Sequence, residues 1–138
     1  MEWFSGKYKK MCEKAERLQN LWKPVEWEYY CEKGDYVDGD VLNQFHLGSI
    51  KEPIDQWKES HIWLPLKIDL EERVIPRGIE KLNQHRMENY TKYVYEENKQ
   101  LIEESSNKDD VIKILALKFA MKRWGFDWDD EKEEWSRK

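Results

Sequence analysis

Eight tryptophans are spread through a chain whose charged residues, at 38%, nearly equal its 39% of hydrophobic ones. Their positions constrain the fold more than any other feature. A chain this polar has few apolar groups with which to close a core, and Trp removes more surface from water per residue than other types. Trp22 ends an amphipathic N-terminal stretch, Trp27 opens an alternating run, and Trp63 lies in Ile62-Trp63-Leu64-Pro65. Trp124 ends the most regular helical stretch, and Trp128 and Trp135 fall in an acidic tail from about residue 126. These are element junctions, so the tryptophans are expected to bolt elements together, with Trp22, Trp27 and Trp63 in one core. Charge and hydropathy alone would suit a disordered chain. Seven Tyr and four Phe beside the tryptophans argue for a folded one.

The 138 residues fit a single domain. The net charge of −5 comes from interspersed acids and bases, which is ordinary solubility and gives no basic face for a duplex. It is too small for a duplex mimic. No apolar run reaches membrane-spanning length and no signal-peptide pattern opens the chain, so a cytoplasmic protein with no membrane contact is expected. Cys12 falls on the apolar stripe of the first helix and Cys31 on the apolar face of a strand. Buried reduced thiols are expected, with a disulfide or reactive pair as the alternative.

The expected fold class is α+β. It comprises a small antiparallel sheet within residues 25–64, packed by the first and last helices, with a longer helix over 79–104 alongside. Ser5 can cap a helix over residues 7–22, whose stripe is Tyr8, Met11, Cys12, Ala15, Leu18 and Trp22. Pro24 stops it. Residues 25–32 alternate, which places Val25, Trp27, Tyr29 and Cys31 inward on a half-exposed strand. Lys33-Gly34-Asp35 is a turn and Asp38-Gly39 a hairpin signal, with Val41, Phe45 and Leu47 inward on the returning strand. Residues 49–60 suit a loop, with room for one helical turn, and 61–64 a short strand. Leu70 and Val74 face inward from a short helix over 69–75, which Pro76-Arg77-Gly78 breaks. The 79–104 helix presents Ile79, Leu82, Met87, Tyr90, Val94 and Leu101, with a kink near 90–95. Ser105-Ser106-Asn107 is a linker and cap before the last helix, Asp109 and Asp110 suit its first turn, and Gly125 its stop. Val111, Ile112, Leu115, Ala116 and Phe119 form its expected buried stripe.

The motifs of common chemistries are missing from the chain. His46, His61 and His85 are isolated from one another, no Cys-x-x-Cys occurs, and no metal or cofactor is expected. Asp35, Asp38 and Asp40 lack the ligand spacing of a calcium loop and suit a turn. No phosphate-binding Gly-rich loop or nucleophile–His–acid set can be assembled, so a non-enzymatic protein is expected. Asn89-Tyr90-Thr91 matches a glycosylation triplet inside an expected helix and is set aside. The acids at 127–134 suit a solvated tail, with a carboxylate-dependent hydrolase or nuclease as the alternative use. Lys118, Lys122, Arg123 and Trp124 put cations beside an aromatic, as single-strand binders do, and Lys7, Lys10 and Lys14 could join them. The competing account is a solvated helix face with Trp124 buried.

The segment Tyr8-Lys9-Lys10-Met11-Cys12-Glu13-Lys14-Ala15, continuing to Leu21-Trp22-Lys23-Pro24, resembles a "YxxMCxKAxxIQxLWxP" opening. That opening belongs to a family of small uncharacterised proteins encoded by tailed phages and prophages of Gram-positive bacteria. Ile62-Trp63-Leu64-Pro65, with Leu70 five residues on, resembles their "WLPRQDQLQ" segment, though this chain has Leu66-Lys67-Ile68-Asp69 where they have Arg-Gln-Asp-Gln. The resemblance implies a phage or prophage origin and no chemistry, and no site residue transfers. An accessory protein that binds a phage or host protein is therefore expected. A homo-oligomer and single-stranded nucleic acid are the alternative partners.

Overall fold

The computed structural model describes residues 2–75 and 80–137, with the backbone alone at 80–83. The fold is α+β, with three two-stranded sheets and several helices. It divides into two compact units. One runs to Pro65 and takes up Asp129–Trp135; the other is Leu66–Trp128 with the last residues of the chain.

In the first unit β1 (Glu2–Phe4) leads into α1 (Gly6–Lys14) and α2 (Glu16–Leu21). Ser5 caps α1 by accepting from the Tyr8 N–H at 3.1 Å. The expected single helix is broken at Ala15, whose ψ of 71° leaves the helical range. Gln19 fills the break: its Nε2 donates to the Cys12 carbonyl and to the Trp63 carbonyl, each at 3.0 Å, and its Oε1 accepts from the Trp63 N–H at 2.8 Å. Polar satisfaction of a strand end thus outweighs helix continuity. Gly6 stands at the N-terminus because a Cβ there would lie 1.8 Å from the Tyr36 carbonyl oxygen.

The remaining strands are β2 (Tyr30–Glu32), β3 (Gly39–Val41) and β4 (His61–Trp63), with α3 (Ile54–Lys58) preceding the last. The expected returning strand is present only as a short antiparallel contact, with Tyr29 opposite Gln44 and the Tyr30 N–H on the Asn43 carbonyl. The ladders of β2 and β3 themselves go elsewhere: β3 pairs antiparallel with β1, which periodicity did not expose, and β2 with β4. The loop over 49–60 includes α3, which buries Trp57. Val41 and Phe45 are buried as expected, but Leu47 is 59% exposed because the chain has turned into a 3-10 turn, Leu47–Ser49.

Trp22 and Trp63, at 1% and 2% exposure, stack with centroids 6.2 Å apart, and Trp57 leans on Trp22 at 5.6 Å. Phe45 and Tyr30 meet Trp57 edge-on. Tyr8 stacks on Phe4 and donates to the Pro65 carbonyl at 2.7 Å. Trp27 does not belong to this core; it is 62% exposed.

The second unit opens with α4 (Lys67–Asp69) and a π-helical turn, Leu70–Val74, which buries Leu70 and Val74 as expected. The Pro76-Arg77-Gly78 break, and the side chains of Ile79 and Leu82, lie outside the described residues. Next come α5 (Glu80–Thr91), a second π turn (Lys92–Glu96) and α6 (Lys99–Glu104). The irregularity expected near 90–95 is this π turn. It leaves the Tyr93 carbonyl to the Asn98 amide at 2.6 Å and keeps Tyr90 and Val94 buried. Leu101, by contrast, is exposed. In α7 (Lys108–Arg123) Asn107 accepts from the Asp110 N–H. Leu115 and Ala116 are buried as expected, but Val111, Ile112 and Phe119 are half-buried, while Leu117, Ala120 and Met121 are covered instead. More than one face of α7 is therefore packed, which a one-stripe pattern does not express. β5 (Phe126–Asp129) and β6 (Glu134–Arg137) form the last sheet.

Trp63→Ala should remove about 3–5 kcal/mol of stability by emptying the stack. Denaturant melts check this; a loss under about 1 kcal/mol would contradict the assigned core.

Candidate functional site

The basic cluster read from the sequence lies on the last turn of α7 and divides on inspection. Lys122 is exposed, with its Nζ 5.8 Å from the Tyr93 ring centroid. Arg123 is half-buried, donates to the Ile75 carbonyl, and holds its Cζ 5.1 Å from the Trp124 ring. Trp124 is a half-buried C-cap whose N–H reaches the Met121 carbonyl, and Gly125 follows at φ 87°, the left-handed stop expected of it. Lys122 and Arg123 line a pocket of about 300 Å³ with His85, Arg86, Asn89 and Phe119; Lys118 and Trp124 are not among its lining. Lys7 and Lys10 pair with Asp130 at 3.1 Å and Glu133 at 2.6 Å, so they serve their own unit. Lys10 holds the Glu133 carboxyl below its ordinary range.

In the acidic segment Asp130, Glu131, Glu133 and Glu134 are exposed, as expected of a solvated run, but the backbone that carries them is the turn and strands of β5 and β6. Asp129 Oδ1 accepts from the Glu131 and Lys132 N–H groups and shapes the turn between β5 and β6. Trp135 Nε1 donates to the Met11 carbonyl at 3.0 Å. Among the described residues no three His, Cys, Asp or Glu side chains gather where they could hold a metal ion.

The most unusual local structure surrounds Trp27. Glu28 N–H bonds the Val25 carbonyl at 3.2 Å, closing a turn in which Trp27 has φ 72°. That third position of a type II turn normally takes glycine, since any Cβ in the left-handed region is strained by about 1–2 kcal/mol. The Trp27 N–H donates to the Phe45 carbonyl and the Phe45 N–H to the Glu28 carbonyl, both at 2.7 Å. Trp27 and Glu28 thus oppose one residue, as in a G1 bulge with Trp in place of Gly. The Gln44 amide donates to the Trp27 carbonyl at 2.9 Å. Two partners, the Phe45 carbonyl and the Gln44 amide, hold the backbone of the strained residue in place.

The turn presents its side chains outward. The indole stacks on the His46 imidazole with centroids 5.5 Å apart and planes 12° from parallel. His46 Nδ1 meets Glu26 Oε2 at 2.5 Å, and Glu26 Oε1 accepts from the Leu47 N–H at 2.6 Å. The Leu47 N–H, then His46, keep the Glu26 carboxyl below its ordinary range. Val25 and Leu47, whose backbone groups bond Glu28 and Glu26 of the same turn, are 54% and 59% exposed. The result is a rigid, exposed aromatic–aliphatic surface oriented by a carboxylate. Alternation placed Val25 and Trp27 inward, and no sequence signal here marks the bulge that turns them out; Gly at position 27 would have marked it.

A cleft of about 640 Å³ in the same unit mixes charges, with Glu13, Glu16, Lys58 and His61 on its walls. Lys58 donates to the Trp22 carbonyl at 2.6 Å, and burial lowers its ammonium pKa. His61 stacks on Trp57. These contacts serve the core.

Neither cysteine is in a disulfide, both are buried, and burial pushes the Cys31 thiol up to about 12. The unfolded thiol titrates near 9. The native chain therefore keeps a proton that the unfolded chain loses, and this contribution to stability is full below pH 9 and lost as pH rises toward 12. Thiol reagent at pH 8 should label neither cysteine in native protein and both in urea; rapid native labelling would contradict the burial. Trp27→Gly should leave stability within about 1 kcal/mol of the parent, since relief of backbone strain offsets the lost ring contact. A loss above about 3 kcal/mol would mark Trp27 as structural. Comparison with protein-family models, curated proteins and solved structures finds no match.

Proposed function

We propose that the protein is a non-enzymatic accessory protein that docks a protein partner through the Trp27 turn, and, following the resemblance of its N-terminal segment, that it is of phage or prophage origin. One observation carries the docking reading: an exposed tryptophan occupies a backbone position where glycine would be less strained. Folding alone does not call for it there. Trp anchors dominate protein interfaces because they bury a large rigid surface at low conformational entropy. The stack on His46 and the Glu26 bonds fix the indole before any partner arrives, which removes part of the ordering penalty of binding. Val25 and Leu47 extend the apolar area, and the Glu26 carboxylate at its edge favours a partner with a cation beside an apolar pocket.

A photo-crosslinking residue placed at Leu47 in producing cells should yield a discrete covalent adduct, and the adduct should vanish when Trp27→Gly is added. The same probe at Leu101, exposed in the other unit, should not yield that adduct. An adduct of twice the chain mass would identify a second copy as the partner. No discrete adduct, or one that persists in Trp27→Gly, would overturn the reading.

A further inference from the structure

The pocket between α5 and α7 has a chemistry unlike the rest of this acidic chain. From α5 come His85, Arg86 and Asn89, one turn of a helix face; from α7 come Phe119, Lys122 and Arg123, again one turn. Among the described residues its lining holds three permanent cations and no carboxylate, although the chain as a whole carries a net charge of −5. The two guanidinium groups are oriented by one acceptor: Arg86 Nη1 donates to the Ile75 carbonyl at 2.9 Å, and Arg123 Nη1 donates to the same oxygen. A shared anchor brings the two guanidinium groups together at the pocket wall, and the planar fork of a guanidinium matches the geometry of phosphate oxygens. Each guanidinium has five donors, and anchoring one nitrogen fixes the plane of the fork.

The other components suit a planar ring. Phe119 is half-buried, and its ring is held by Tyr90 edge-on at 5.5 Å and by Tyr93 at 6.0 Å. A held aromatic ring is a stacking platform that tolerates any base. The Asn89 amide, 3.3 Å from His85 Nε2, offers both a donor and an acceptor to a base edge. A volume near 300 Å³ is at the lower end for small-ligand sites and fits one nucleotide rather than a duplex.

We propose that this pocket binds a single nucleotide, with the phosphate among Arg86, Lys122 and Arg123 and the base against Phe119. The proposal does not depend on the Trp27 surface. A free mononucleotide and one nucleotide of a single strand share this chemistry, and the test separates them.

Calorimetric titrations of the full chain with dTMP, thymidine, inorganic phosphate and short oligo-dT form the experiment. The expected result is nucleotide binding below about 1 mM, about tenfold or more tighter than either thymidine or phosphate alone. Lys122→Glu should weaken it about tenfold or more at unchanged melting temperature, while Lys99→Glu, the same charge change outside the pocket, should not. If dTMP binds as tightly as oligo-dT, the ligand is a free nucleotide. If oligo-dT is about tenfold tighter and equally sensitive to Lys122→Glu, it is a strand, and its affinity should fall steeply with salt. Absence of binding below about 1 mM, phosphate binding as tight as dTMP, or equal weakening by Lys99→Glu would each overturn the proposal.

Discussion

The first unit depends on the stack of Trp22 on Trp63 and on the way Gln19 holds the strand beneath it. A chain with so much charge has little apolar area to spare, so two indoles must meet face to face rather than each find separate aliphatic neighbours. Stacking requires that α2 and β4 keep their register, and Gln19 fixes it by pairing with both backbone groups of Trp63. The helix break at Ala15 follows, because an unbroken helix would not expose the Cys12 carbonyl to the same amide. The edge of β4 is satisfied at Trp63 by a side chain where another strand would otherwise add.

Much of the helical architecture was legible because its signals are local. Ser5, Asn107 and Gly125 cap or stop helices as their chemistry dictates, and the irregular stripe around Tyr90 did mark a change of helical pitch. The sheet was less legible, since pairing joins residues far apart in sequence: β1 is three residues long and meets β3 across more than thirty intervening positions. Alternation failed at residues 25–28 for a definite reason. A bulge inserts one residue into the period of two, so positions on either side of it are out of phase. Tyr29 and Cys31 obey the inward pattern, whereas Val25 and Trp27 do not.

The same division applies to the sites. Lys122 and Arg123 could be found because basic residues near a helix C-terminus next to an aromatic form a local pattern. His85, Arg86 and Asn89 could not, since only tertiary packing brings α5 to that turn. The Trp27 surface was hidden by its own success as a hydrophobic signal: a tryptophan counts as core in any periodicity until backbone dihedrals show otherwise.

The left-handed conformation of Trp27 also has a genetic consequence. The tryptophan codon differs from one glycine codon by a single nucleotide, so a glycine that relaxes this backbone is one mutational step away. For Trp22 and Trp63 the same step would be purged, because each fills a volume that nothing else can take up. Drift therefore discriminates between tryptophans of equal codon and unequal burden. If the proposed docking role is lost in a lineage, the indole at position 27 is expected to be lost with it, whereas the two stacked indoles are expected to be kept wherever the chain still folds.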